Sequence, residues 1–252
     1  MLKITATVAL AVTLVFTIGS IDSLRAATKD DEPRQKAVAT STEHFDLPPG
    51  VALHLANSIG QLNVEGWDEP GVEITTIKSS KNELDSQARD RALQELDIVR
   101  ITGDRHGDEL VIQSDYPKYP RLERPFIGMT NFDLEYRVKV PRNTRLIVDH
   151  DIGQVFIDGM AGDIHATNHM GDVELHLASG AQGAAQYAID AKAKIGAVNS
   201  DFPGHEHRRH WLGHQFVHDG PPSPHKLYLR IGVGDIVILK IRKPPAPAPL
   251  GI

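Results

Sequence analysis

The sequence LIVDHDIGQVFI at residues 146–157 is followed eighteen residues later by IHATNHMGDVEL at residues 164–175. In both stretches, alternating apolar side chains lie on either side of a glycine, Gly153 in the first and Gly171 in the second. An alternation with a period of two residues is typical of strands that bury one face. Each stretch is therefore predicted to form two short strands joined at a glycine bend.

This unit occurs five times, at residues 58–62, 151–155, 169–173, 194–198 and 232–236. Where the spacing is eighteen residues, it predicts coils that stack like on like, with their inner faces forming one dry column. The expected neighbours are Leu146 with Ile164, Ile152 with Met170, Val155 with Val173 and Ile157 with Leu175.

The repeat predicts an all-β fold, a β-solenoid-like stack of short strands in glycine-punctuated coils of about eighteen residues. One short helix is expected in the N-terminal half, over residues 83–95, with Asn82 as its cap. The predicted domain covers residues 43–242 and carries a His-rich insertion at residues 201–223. A flexible lead over residues 27–42 precedes it, and a Pro-rich tail over residues 243–252 follows it.

The first 26 residues are predicted to be a signal peptide. Lys3 precedes an apolar run over residues 4–18, which is short for a membrane span, and Ala26 ends a possible cleavage site. An uncleaved membrane anchor is the alternative. The chain has no cysteine, so its fold depends on its own core, and its net charge of −6 argues against nucleic-acid binding. We expect export to the periplasm or the cell surface.

Residues 136–141 (YRVKVP) are followed by Leu146-Ile147-Val148 and then by regularly spaced glycines, and residues 57–74 read NSIGQLNVEGWDEPGVEI. Over roughly residues 43–242, this pattern resembles the bacterial "putative adhesin" domain family, which is β-solenoid-like and largely without an assigned molecular function. The resemblance implies a cell-envelope location and supplies no catalytic residues. The small-residue loop near Gly180 and the His-rich insertion depart from the family's pattern.

The insertion contains six histidines within residues 202–225, FPGHEHRRHWLGHQFVHDGPPSPH. If residues 205–218 form a helix, four of them share one stripe, because spacings of three, four and four return to the same side. Such a stripe could bind Zn, Cu or Ni through neutral imidazoles. A solvated loop and a pH-dependent interaction surface are the alternatives. The four candidate ligands are His207, His210, His214 and His218.

A glycan-active β-helix enzyme is the catalytic alternative, because paired carboxylates on such a scaffold can cleave glycosidic bonds. Aromatic residues that stack on sugars make up only 6% of the chain. A Gly-x-Ser-x-Gly motif is absent from the sequence, as is any thiol nucleophile. The candidate carboxylates are Asp149, Asp151, Asp158, Asp163 and Asp172.

The favoured interpretation is a non-enzymatic cell-envelope protein that presents a binding or adhesion surface. Its expected partner is an envelope protein, a glycan or a second copy of the chain, with no cofactor unless the histidines bind metal. Contact with a membrane is expected only through an uncleaved signal segment. Outward apolar side chains are candidates for an interface, or are covered by neighbouring elements. They are Phe156, Val237 and Leu239.

Overall fold

Two large β-sheets and one helix make up the part of the chain that this computed structural model describes, residues 33–97, 99–115, 132–179, 187–209, 213–218 and 225–242. The elements are β1 (Val38–Phe45), β2 (Ala52–Ile59), β3 (Gln61–Trp67), β4 (Val72–Ser80), α1 (Ser86–Leu96), β5 (Arg100–His106), β6 (Glu109–Asp115), β7 (Phe132–Pro141), β8 (Leu146–Ile152), β9 (Val155–Asp158), β10 (Ile164–Met170), β11 (Val173–Ser179), β12 (Tyr187–Ile195), β13 (Val198–Ser200), β14 (His205–Arg209), β15 (Gly213–His218), β16 (His225–Val233) and β17 (Ile236–Arg242).

In the described residues, the strands form two open sheets. One has eight strands in the order β1-β4-β7-β3-β9-β11-β17-β13, and the other has nine in the order β14-β15-β12-β16-β10-β8-β2-β6-β5. Each repeat unit contributes its first strand to the nine-stranded sheet and its second strand to the eight-stranded sheet. The prediction of a mostly β fold with a helix in the N-terminal half is confirmed.

The neighbours expected from the eighteen-residue spacing are found in the sheet registers. β8 and β10 pair in parallel with Leu146 beside Ile164, and β9 and β11 pair in parallel with Val155 beside Val173. The buried side chains of both sheets belong to one hydrophobic cluster. In strands buried on one face, this register is strongly specified, because a slip of one residue would turn every apolar side chain outward.

The five units do not stack in chain order. β16 lies between β10 and β12, and β17 lies between β11 and β13, so the fifth unit is inserted between the third and the fourth. Carboxylates at the turns favour this order. Asp172 Oδ1 accepts a hydrogen bond from the backbone N–H of Asp235 (2.9 Å), and Asp235 Oδ1 accepts one from Ala197 N–H (2.7 Å). The fourth unit has an alanine, Ala197, at the corresponding position and lies last.

Contrary to the expectation from the repeat, the residue before each turn glycine is not buried with the other inner apolar side chains. Met170 is 50% exposed, Val233 42% and Ile195 47%, although Met170 and Ile152 are register partners as predicted. The strand ends there, so the side chain extends past the edge of the opposite sheet. The expectation that Met170 is an inner residue is therefore wrong.

The turn glycines of neighbouring units lie in van der Waals contact. Gly171 has a φ of +119°, and a Cβ built on it would lie 2.0 Å from the carbonyl oxygen of Gly153. Gly234 stands in the same relation to Gly171, and Gly196 to Gly234. Glycine is required at each step because any side chain would meet the backbone of the next unit.

Two buried polar side chains satisfy carbonyl groups at these turns. Asn168 Nδ2 donates to Gly153 O at 2.9 Å, and His150 Nε2 lies 3.1 Å from Gly60 O. Both side chains are almost completely buried. Burial lowers the pKa of His150 to about 4, so the ring is neutral and donates one hydrogen to the carbonyl.

Helix α1 begins later than predicted. Asp85, not Asn82, is the N-cap, and its carboxylate accepts from Ala88 N–H at 2.8 Å. At the other end, the Lys78 ammonium donates to Leu96 O (3.1 Å) and Val99 O (2.6 Å), and burial lowers its pKa. No helix among the described residues is both long and apolar enough to cross a membrane.

The first strand begins inside the stretch that we expected to be a flexible lead. β1 covers Val38–Phe45 and pairs antiparallel with β4. Its sequence has no clear alternation of apolar residues, but every residue of β1 has a register partner on β4. The ordered domain therefore starts before residue 43. The predicted signal segment at residues 1–26 and the Pro-rich tail at residues 243–252 lie outside the described residues.

The glycine contacts predict different effects of two alanine substitutions. Gly107 also has a positive φ, of +64°, but a Cβ there meets nothing within 4 Å. Gly107→Ala should lower the free energy of unfolding by about 1 kcal/mol, which reflects backbone strain alone. Gly171→Ala should lower it by at least about 3 kcal/mol, because the clash with Gly153 is added. Urea denaturation measures both, and equal losses would contradict the close approach.

The buried His150 predicts a loss of stability in mild acid. Its folded-state pKa of about 4 lies below the ordinary value of 6.5. The unfolded chain therefore binds the extra proton first, and this contribution to stability is present above pH 6.5 and lost as the pH falls toward 4. His150→Asn keeps a donor of the kind Asn168 provides. The variant should lose about 2 kcal/mol less than wild type between pH 7 and 4.5, as measured by urea denaturation. Parallel pH profiles would contradict this role.

Candidate binding surface

The His-rich insertion forms a β-hairpin, which is neither the helix considered for metal binding nor the solvated loop. β14 pairs antiparallel with β15, and β15 pairs antiparallel with β12. Phe216 explains this choice, because it lies opposite Ala191 in the register and is buried in the core. A strand next to the edge of the nine-stranded sheet can bury Phe216 and direct Gln215 and Val217 to the outer face.

The hairpin separates the predicted metal ligands that the structure describes. His214 and His218 lie on the same face as Phe216, whereas His207 is the register partner of Gln215 and lies on the opposite face. His210 lies outside the described residues. Within the described ranges, no group of three or more His, Asp or Glu side chains is arranged to hold a metal ion. Binding of Zn, Cu or Ni by the four histidines stays a prediction.

The carboxylates considered for glycan cleavage are dispersed, and four of them have partners. Asp158 belongs to β9 in one sheet and Asp149 to β8 in the other. Asp163 accepts from Lys226 N–H at 2.9 Å, and Asp172 from the backbone of the fifth unit. Asp151 Oδ1 lies 3.4 Å from His169 Nδ1.

The outer face of the nine-stranded sheet carries an ordered aromatic and charged cluster that sequence reasoning missed. Tyr228 on β16 is 36% exposed, and the Arg230 guanidinium lies 3.5 Å from the centroid of its ring. Asp190 on β12 holds this guanidinium through Arg230 Nη2 at 2.5 Å, and Arg230 Nη1 donates to Asp190 O at 2.8 Å. Gln215 donates in turn to the Asp190 carboxylate at 2.9 Å.

Two histidines continue the cluster across the sheet. The ring of His165 on β10 lies 4.5 Å from that of Tyr228, tilted by 58°. Beyond Ile147 on β8, His54 Nε2 lies 2.8 Å from the Asp149 carboxylate. We call this set the Tyr228 surface; it consists of His54, Asp149, His165, Asp190, Tyr228 and Arg230.

The Tyr228 surface is flat and already organised. It spans five adjacent strands from β12 to β2, a width of about 19 Å at the usual strand spacing. Desolvation lowers the pKa of His165, and the positive charges of Arg230 and Arg145 lower it further. The carboxylate of Asp149 raises this pKa, but its effect is smaller than that of desolvation. A neutral imidazole therefore lies beside an aromatic ring and a fixed guanidinium.

The outward apolar candidates are on the other sheet. Phe156 and Val237 are both register partners of Glu174, and all three are half-buried. Glu174 lies between them, and its carboxylate is 2.6 Å from His176 Nε2. Phe156 and Val237 are thus separated by a charged side chain and do not form one continuous apolar patch.

The chain matches no protein-family model and no curated protein. It is similar to solved bacterial structures, among them "a putative cell adhesion protein" from Clostridium sporogenes, at 14% identity and a TM-score of 0.47, covering 82% of this chain and 100% of that one. A second is "a putative adhesin" from Bacteroides fragilis, at 11% identity and a TM-score of 0.31, covering 80% and 97%. These names agree with the "putative adhesin" resemblance found in the sequence.

A third similar structure is a "putative lipid binding protein" from Parabacteroides distasonis, at 11% identity and a TM-score of 0.22. The match covers 65% of this chain and 70% of that one.

The charges around His165 predict how its titration responds to substitution. Arg230→Gln should raise the pKa of His165, because it removes a positive charge that opposes protonation. Asp149→Asn should lower it further, because it removes the carboxylate that favours protonation. Titration of the imidazole carbon resonances by NMR measures both changes. A pKa that moves in neither variant would show that His165 does not sense these neighbours.

Proposed function

We propose that this chain is a non-enzymatic protein of the bacterial cell envelope that binds a protein partner through the Tyr228 surface. The export signal expected at residues 1–26 supports the location. The names of the similar structures are consistent with a binding or adhesion role.

The observation that carries this proposal is the fixed geometry of Tyr228 and Arg230. Tyrosine and arginine are enriched among the residues that dominate protein interfaces. The guanidinium is held by Asp190 through two contacts, so little side-chain entropy remains to be lost on binding. A partner would meet a surface whose aromatic and charged groups are already in place.

A protein partner fits this surface better than a glycan. A sugar ring binds an aromatic side chain by lying flat against its face, and Arg230 already covers one face of the Tyr228 ring. The ring of His165 lies against it as well. The exposed edge and hydroxyl of Tyr228 are suited to hydrogen bonds and edge contacts with a polypeptide.

We also infer that the scaffold is a β-solenoid with one coil out of chain order. The eighteen-residue register, the parallel pairing between neighbouring units and the contacts between turn glycines support this description. In a scaffold of this kind, side chains from coils distant in sequence lie in one row. That property brings Tyr228 beside His165.

The two alternative functions stay less supported proposals. Metal binding by His207, His210, His214 and His218 requires the two faces of the hairpin to contribute ligands to one ion. Glycan cleavage requires a pair of free carboxylates on one face, and the acidic candidates on the two sheets are dispersed.

Binding to isolated envelopes of the producing bacterium tests the proposal. Labelled wild-type protein should bind saturably, and Tyr228→Ala and Arg230→Ala should each raise Kd about 10- to 30-fold. Phe156→Ala is the matched control, since it removes a half-buried outward aromatic side chain from the other sheet. Its Kd should equal that of wild type.

Pretreatment of the envelopes identifies the class of partner. Protease treatment should abolish binding, and periodate oxidation of glycans should leave it unchanged. Loss with periodate alone would replace the protein partner by a glycan. Equal binding by wild type, Tyr228→Ala and Arg230→Ala would overturn the assignment of this surface.

A further inference from the structure

The two open sheets end in four edge strands, and three of these are protected against pairing with another chain. β5 reads RITGDRH and β14 reads HEHRR, so both carry several charged side chains. β13 has only three residues, and just beyond it the Asp201 carboxylate accepts from Lys240 N–H at 3.0 Å. Charges, shortness and local capping are the usual means by which proteins block exposed edges.

The fourth edge, β1, lacks these protections. It is eight residues long, and its first five residues, Val38 to Thr42, are uncharged and include three β-branched side chains. Val38 is 52% exposed. On the side away from β4, no other strand of the described ranges pairs with β1. β1 therefore presents a long, regular edge with high β-propensity.

The register with β4 shows which backbone groups of β1 face outward. Ser80 N–H donates to Ala37 O, so Ala37 directs its backbone groups toward β4. In an antiparallel ladder, alternate residues direct both N–H and C=O to the same side. The groups that point away from β4 belong to Val38, Thr40, Thr42 and His44, whose side chains are also the exposed ones.

We propose that the outer edge of β1 pairs antiparallel with β1 of a second copy of this chain, which joins the two eight-stranded sheets into one. Two antiparallel copies of β1 are related by a two-fold axis, and their side chains match when this axis passes through Ser41. Thr40 then faces Thr42 of the other copy, and Val38 faces His44. All four outward residues of each copy take part, with two hydrogen bonds in every facing pair.

The charged residue of the strand favours this register over the one centred on Glu43. With Ser41 on the axis, Glu43 lies opposite Ala39 of the second copy. With Glu43 on the axis, two carboxylates would face each other, which is destabilising in a cross-strand pair. Facing threonines, in contrast, form a favourable pair. The chemistry of the strand therefore selects a symmetric closed dimer over an open series of contacts.

β1 belongs to the eight-stranded sheet, so this dimer leaves the Tyr228 surface on the nine-stranded sheet unobstructed. Two Tyr228 surfaces would be displayed by one particle. Dimerisation and partner binding can consequently fail independently, and their tests do not depend on each other.

Sedimentation equilibrium of the purified chain tests the dimer. Wild type at about 100 µM should have twice the mass of the monomer. At this concentration, a dimer is detected if its dissociation constant is in the micromolar range or lower. Thr40→Pro should sediment as a monomer, because it removes an outward N–H without breaking a hydrogen bond to β4. An unchanged circular-dichroism spectrum and melting temperature confirm that this variant is folded.

A charge exchange tests the register itself. The double variant Thr40→Lys with Thr42→Lys places like charges opposite each other and should be monomeric. Thr40→Lys with Thr42→Glu places opposite charges in the same facing pairs and should restore the dimer.

A wild-type monomer at this concentration would overturn the proposal. A wild-type dimer that survives both Thr40→Pro and the double lysine variant would also overturn it, because the contact would then lie elsewhere. Failure of the lysine–glutamate variant to dimerise would reject the register centred on Ser41.

Discussion

The close approach of backbone to backbone at the turn glycines is the constraint on which the rest of the structure depends. A Cβ at Gly153, Gly171 or Gly234 would lie about 2 Å from a carbonyl oxygen of the neighbouring unit. The units can stack at the strand spacing only because these side chains are absent. His150 and Asn168 then bind turn carbonyls that burial would otherwise leave without a partner. The tight turns and the buried interior thus both depend on the contact between the turn glycines of neighbouring units.

The same turns determine the order of the units, which the apolar repeat alone does not. All five units offer similar inner faces, so hydrophobic matching permits several orders. The carboxylates of Asp172 and Asp235 each bind the backbone of the next unit, and Ala197 has no side chain that can do so. As a result, β12 pairs with β15 and β16, which both follow it in the chain. The C-terminal third depends on contacts that are distant in sequence, a topology associated with slow folding.

Strands and their neighbours could be predicted from the sequence where burial imposes a regular alternation of apolar residues. They could not be predicted where burial imposes no such alternation. Eighteen-residue spacing correctly paired Leu146 with Ile164, because both face the core. β1 was missed because an edge strand with polar side chains on both faces has no apolar alternation to detect. The histidine spacing of three, four and four fitted a helix, but Phe216 between two histidines fitted a strand equally well, and its burial decided the outcome. Met170 follows the alternation, yet it lies at a strand end where the opposite sheet no longer covers it.

The Tyr228 surface was beyond sequence reasoning for a related reason. Alternation within LYLR at residues 227–230 places Tyr228 and Arg230 outward, but it does not say which side chains lie beside them. That depends on β16 lying between β10 and β12, and therefore on the turn carboxylates. The outward face of the eight-stranded sheet also holds oppositely charged pairs, such as Glu73 with Lys139. Such exposed pairs are well hydrated and contribute little to binding. The two sheets share one core, and on the nine-stranded sheet the inserted unit brings Asp190, Tyr228 and His165 into adjacent strands, which holds the aromatic ring beside the guanidinium.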